Sequence, residues 1–148
     1  ILADMVENDE VIIVDNNSTD NSIDKVEQDS AYRHVKIIKH ACNAGYGFSC
    51  NQVMIQGNGE YFLLCNNDIE LPLGSLASFE NLFNSDKKAG LIGPQMLSPN
   101  GKKMRSYGTQ IPSLLSQLDL IGRPIKNQEI DSFSNVSILR GACLAVRK

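Results

Sequence analysis

Three groups of residues follow apolar runs: Asp15, Asn16 and Ser18 after VIIV, Asn43 and Gly45 a few residues beyond VKIIK, and Asn66, Asn67 and Asp68 after EYFLLC. A carboxylate such as Asp68, flanked by carboxamide oxygens, suits a hard divalent cation that keeps its waters and bridges to phosphate. Asp15 can accept a hydrogen bond from a nucleobase imide or a ribose hydroxyl, and Ser18 with the following N–H groups can meet phosphate at a helix N-terminus. Each group taken singly also reads as a turn or a helix cap, with Asn67 and Asp68 capping a helix that begins near Pro72. Three such groups in one chain point to a polar ligand, because in an open α/β sheet the ligand crevice lies beyond the carboxyl ends of the strands.

The elements that must position these residues alternate in type. VIIVD (11–15) is a continuous β-branched run, as expected of a parallel strand buried on both faces. It is followed by a helix to about residue 29, with Ile23 and Val26 on one face and Ser18, Thr19 or Asp20 as cap. VKIIK (35–39) is the second strand, and the glycines at 45 and 47 lead into a helix ending near Gly57 or Gly59. EYFLLC is the third strand, and Pro72 suits the first turn of a helix through about Asn84. AGLIGPQML predicts a strand, SPNGK a turn tipped by Asn100 and Gly101, and KMRSYG the second arm of a hairpin. Residues 2–8 look like the end of a helix, and 108–135 like a long loop with one helical turn near 113–120. VSILRGACLAVRK adds a further strand. The pattern is α/β, a mostly parallel sheet flanked by helices, read as one domain over residues 1–148.

Composition excludes several classes. The 148 residues are 42% apolar and 21% charged with a net charge of −3, which is neither a disordered chain nor a membrane span, since the longest apolar runs are strand-sized. The N-terminus resembles neither a signal nor a transit peptide, so the expected location is cytoplasmic. Residues 1–30 carry nine acids and one base, Lys25, so the rest of the chain is net positive. Lys87, Lys88, Lys102, Lys103 and Arg105 are either a solvated basic face or an attraction for an anionic ligand. No aromatic and basic residues interleave, which argues against nucleic acid as a partner. Cys42, Cys50, Cys65 and Cys143 show no CxxC spacing, so zinc is not expected, and Cys65 and Cys143, within apolar runs, read as free structural thiols that behave as small hydrophobes in a reducing compartment. GYGFSCN is not a dinucleotide fingerprint, and the GxSxG, HExxH and phosphate-loop lysine motifs are absent.

Four segments in order, VIIVDNNSTDNS, NAGYGFSCNQV, EYFLLCNNDIELPLGSL and RGACLAVRK, resemble the inverting family 2 glycosyltransferases of GT-A (Rossmann-like) fold, especially their bacterial rhamnosyltransferase-like branch. The resemblance implies that Asp15 and Asn16 contact a uracil or thymine nucleoside, where many relatives carry two acids. It implies that Asn43, Gly45 and Asn51 correspond to an NxG followed by a helical asparagine lining the nucleotide pocket. Asn66, Asn67 and Asp68 stand as NND for the family's DxD metal motif, with Asp68 the ligand of Mg²⁺ or Mn²⁺; a one-residue shift would put Asn67 there. Arg140 and Gly141 match the segment bordering the donor sugar.

The function so implied is transfer of a sugar, rhamnose or another hexose, with inversion, from a UDP- or dTDP-linked donor to a glycan or lipid-linked acceptor. A lipid-linked acceptor further implies peripheral association with the inner face of the membrane. Relatives place their catalytic base after the GACLAVRK strand, so it is expected beyond Lys148; nothing matches Asp119, Glu129 or Asp131 to that role. An internal portion lacking the family's first strand is the expected extent, with an exposed sheet edge that favours self-association. The rivals are a noncatalytic nucleotide-sugar-binding fragment, a nucleotidyltransferase, which would need an early glycine-rich basic loop, and a structural α/β interaction domain.

Overall fold

The β-branched run extends as β1 (Ile12–Asp15), because Val and Ile lose little on a pleated surface. The computed structural model describes residues 4–102, 108–110, 123–124, 138–139 and 141–148. These form two compact units, Ile1–Phe62 with Lys148, and Leu63–Arg147.

In the first unit β1 pairs in parallel with β2 (Lys36–Lys39), Ile12 opposite Lys36 and Asp15 opposite Lys39. The strand residues of β1 are only half-buried, where full burial was expected. The crossover is α1 (Ser22–Gln28), whose half-buried residues are Ile23 and Val26, the pair predicted to share a face. The N-cap position is Asn21, which makes no side-chain cap bond, and not Ser18, Thr19 or Asp20 as expected. Asp20, one residue earlier, accepts from Ser22 N at 3.0 Å and Ser22 Oγ at 2.5 Å through its Oδ1. Those Ser22 bonds hold the Asp20 carboxyl below its ordinary range, so they are intact above the usual carboxylate pKa and are lost as pH falls through the lowered one. Lys39 Nζ pairs with Glu27 at 2.7 Å, and this bond raises the lysine's pKa. α2 (Tyr46–Gln56) ends at Gly57. A Cβ on Gly57 would stand 2.6 Å from the ring of Phe62, itself 7% exposed, so only glycine lets the helix end this close to that ring. Lys148 holds the same corner, with Nζ 5.5 Å from the Phe62 ring centroid and donating to Gly57 O at 3.1 Å.

In the second unit β8 (Cys143–Arg147) lies between β3 (Tyr61–Cys65) and β4 (Leu91–Ile92). It runs antiparallel to β4, Leu91 opposite Val146. α3 (Ser75–Ser85) presents Leu76, Phe79, Leu82 and Phe83 at helical spacing, with Phe83 fully buried. Cys143 and Ala145, each 2% exposed, complete the buried set there. A smaller sheet joins β5 (Gly108–Gln110), β6 (Arg123–Pro124) and β7 (Ile138–Leu139) antiparallel, with β5 central.

Four expectations are corrected. Residues 4–8 contain no α-helix: Val6 N bonds Asp9 Oδ2 at 2.9 Å and Asp9 N returns to Val6 O at 3.0 Å, closing a turn. Pro72 precedes α3 instead of opening it, because Ser75 Oγ and N both bond Pro72 O and Gly74 takes the left-handed conformation at the cap. The strand expected across AGLIGPQML is only two residues long. Gly93 packs against Leu139, leaving no room for a Cβ (2.8 Å), and Pro94 has no N–H to pair. Finally, 108–135 contains the strands β5 and β6, while the helical turn expected near 113–120 lies outside the described residues. The turn tipped by Asn100 and Gly101 forms as expected, with Gly101 at φ 76° and Ser98 N bonded to Lys102 O. The expected second arm, KMRSYG, falls mostly outside the described residues.

Candidate functional site

In the first unit the loops after β1 and β2 are joined by side chains. Asn16 Oδ1 accepts from Ala44 N at 2.9 Å and lies 3.2 Å from His40 Nδ1, while its Nδ2 donates to Asn43 Oδ1 at 2.9 Å. Asn43 Oδ1 also accepts from Gly45 N at 3.0 Å. His40 continues the β1–β2 ladder, its N bonded to Asp15 O, and its ring meets Phe48 edge-on at 5.3 Å. Asp15, Asn16, Asn43 and Gly45, named from sequence, therefore come together, and His40 joins them unforeseen. The signal for His40 was its position, the first residue beyond VKIIK.

Gly45 stands at φ 85°, a conformation that favours glycine, and opens α2, with Ser49 N and Oγ returning to its carbonyl. Apart from chain neighbours and the backbone of α2 itself, no described atom lies within 4 Å of a Cβ built on Gly45 or Gly47, so the backbone there is open to approach. Asn51 is exposed on α2, and no hydrogen bond to a described residue joins it to this network. Ser18 is placed differently from its expectation. Its N bonds Asp15 Oδ1 at 3.0 Å, closing the turn, and α1 starts four residues later at Ser22, so Ser18 is not at a helix N-terminus. Asn17 within that turn has φ 66°, which asparagine tolerates.

Because the Asn16 side chain, in the loop after β1, bonds Asn43 and Ala44 in the loop after β2, Asn16→Ala is expected to lower stability by about 1–2 kcal/mol, read by urea denaturation. An unchanged midpoint would mean that the network holds nothing in place.

In the second unit Asn66, Asn67 and Asp68 are all exposed beyond β3. Asn66 N donates to Ala142 O at 2.9 Å and Ile69 N to Asn66 O at 3.3 Å, so the NND turn stands beside the exposed Gly141 turn. Asn66 and Gly141 are thus brought together, while Arg140 lies outside the described residues. The Asp68 carboxylate makes no hydrogen bond or ion pair with a described residue. No group of three or more His, Cys, Asp or Glu side chains converges among the described residues. A lone accessible carboxylate beside carboxamides is a donor set that fits Mg²⁺ or Mn²⁺, ions that take one or two carboxylates and complete their shell with water and phosphate oxygens.

Cys65, directly before this turn, has its Sγ 3.3 Å from Cys143 Sγ; sequence reading treated the two thiols as separate. The basic stretch contributes Lys87, whose Nζ bonds Asn84 Oδ1 at 2.9 Å; Lys103 and Arg105 lie outside the described residues. No helix among the described residues is long and apolar enough to cross a membrane.

The chain is similar to two proteins of Mycobacterium tuberculosis, strains CDC 1551 / Oshkosh and ATCC 25618 / H37Rv, each named N-acetylglucosaminyl-diphospho-decaprenol L-rhamnosyltransferase. Identity is 27% over 116 residues in both, covering 71% of this chain and 37% of the relative, so the chain spans little more than a third of their length. No solved structure matches it. Glycosyl transferase family 2 matches residues 1–147, a span that takes in both polar strand-end clusters and the strands that carry them. On that match, made over nearly every residue, the chain belongs to glycosyl transferase family 2.

Proposed function

We propose that the chain carries nucleotide-sugar-binding machinery of a glycosyltransferase that moves a hexose, rhamnose in the first instance, from a UDP- or dTDP-linked donor onto a lipid-linked sugar diphosphate, with inversion. The family match over residues 1–147 is the observation that carries this reading. The relatives' name, a rhamnosyltransferase whose substrate is a sugar diphospho-lipid, supports the sugar and the acceptor class. Such an acceptor brings the protein to the cytoplasmic face of a membrane.

The positions of these residues support the roles proposed for them. Asp15 keeps Oδ2 for a nucleoside imide or hydroxyl while Oδ1 holds the Ser18 turn. Asn16 and Asn43 fix the loops in which that carboxylate sits. The open backbone at Gly45 admits a ligand closely, and Asn51 faces outward from α2. Asp68, aided by the carboxamides of Asn66 and Asn67, holds the divalent cation, and Gly141 borders the donor sugar. The cation, when bound, neutralises charge on the diphosphate leaving group.

Calorimetric titration of UDP and of dTDP, each with and without Mn²⁺, tests the reading. Binding that strengthens with Mn²⁺ and favours one nucleotide supports it; no binding under any condition overturns it.

A further inference from the structure

We propose that Cys65 and Cys143 form a site of reversible oxidative modification, a dithiol that closes to a cross-strand disulfide between β3 and β8 next to the NND turn. The inference stands on geometry alone and does not depend on the transferase reading.

Asn66 N bonds Ala142 O, and the residues one step inward along each strand are Cys65 and Cys143. With their sulfurs 3.3 Å apart, that bond fixes an antiparallel register in which the two cysteines are directly opposite. Asn66 and Ala142 are a hydrogen-bonded pair, so the alternation of an antiparallel ladder makes Cys65 and Cys143 a non-hydrogen-bonded pair, whose Cα atoms approach to about 4.5 Å. That is within the span a disulfide accepts, and only small side-chain rotation separates 3.3 Å from a bond. Both cysteines are free in this structure, Cys143 buried and Cys65 partly exposed.

The chemistry is asymmetric. Cys65 is partly exposed and open to a dissolved oxidant, whereas Cys143 is buried. Cys65 is therefore the sulfur oxidised first and Cys143 the resolving one. With hydrogen peroxide as oxidant, the Cys65 thiolate displaces hydroxide from the O–O bond and becomes a sulfenic acid. The Cys143 sulfur then attacks that sulfur and expels water. In sum, two thiols and one peroxide give one disulfide and two waters, with two electrons passing from the sulfurs to oxygen. A dithiol reductant reverses the bond by exchange.

The test treats the full chain with hydrogen peroxide and then alkylates it under denaturing conditions. The expected result is loss of two of the four alkylatable thiols, a mass lower by two hydrogens, and a linked pair of Cys65 and Cys143 peptides that dithiothreitol separates. Cys143→Ala should stop at a sulfenic acid on Cys65, trapped by dimedone. A second measurement needs no variant: phenylarsine oxide, which bridges paired thiols, should add once to the native chain and block both cysteines together. The proposal is overturned if Cys65 and Cys143 stay alkylatable at a peroxide dose that oxidises exposed Cys42, if the link forms to Cys42 or Cys50, or if the arsenical leaves the pair labelled.

Discussion

Asp68→Ala is expected to abolish the Mn²⁺-dependent part of nucleoside diphosphate binding, a weakening of about 100-fold or more, while leaving the fold intact. Even residues that only orient metal ligands typically contribute about 10–100-fold to affinity, so a carboxylate that touches the ion should contribute at least as much. The side chain is exposed and bonds no described residue, and its removal strands no buried partner. Stability should therefore change by no more than about 0.5 kcal/mol. The turn itself is held by backbone, through Asn66 N on Ala142 O and Ile69 N on Asn66 O, and survives the substitution. Asn67→Asp tests the same idea from the other side: a second carboxylate in NND should tighten Mn²⁺ binding without altering binding of the metal-free nucleotide. Equal Mn²⁺ dependence in Asp68→Ala and the unsubstituted chain would remove Asp68 from the metal site.

How far this site could be read from sequence depends on how local each determinant is. β1, β2 and β3 were legible because a β-branched or apolar run bounded by Asn, Asp and Gly has few other conformations. The end of α2 at Gly57 was legible for the same reason. What joins separate loops was not. The Asn16 to Asn43 bond spans 27 residues, and nothing near either residue encodes the other. Cys65 and Cys143 are 78 residues apart, and their pairing follows from a strand register that no window along the chain contains. Residues 4–8 depart from the expected helix for a different reason: Asp9 offers Val6 N a nearer acceptor and closes a turn first. β5 and β6 lie in a stretch without periodicity, and β6 contains Pro124, so their pairing comes from tertiary context.

Phe83→Ala should be the most destabilising substitution in the second unit, by about 3–5 kcal/mol, because the ring is fully buried and its loss leaves a void that packed neighbours close only in part. The ring has a second task. The Arg147 guanidinium lies 5.1 Å from its centroid and donates to the carbonyls of Phe83, Asp86 and Lys87, the last bond at 2.6 Å. Arg147 thus ends β8 and caps α3 at once, placing positive charge where the helix dipole is negative. Arg147→Met keeps much of the apolar stem and removes the donors, which should cost about 1.5–3 kcal/mol. Phe83→Leu keeps most of the buried volume and loses the cation–π contact, so it should fall between the alanine variant and the unsubstituted chain. Because Phe83 and Arg147 touch, the double substitution should differ from the sum of the singles by about 0.5 kcal/mol or more. Urea denaturation of the five proteins measures each term. A loss below about 1 kcal/mol for Phe83→Ala, or strict additivity with Arg147→Met, would mean that α3 is held to the sheet by something other than this pair. In that case β8, which also carries Cys143 at its other end, would not owe its position to the helix.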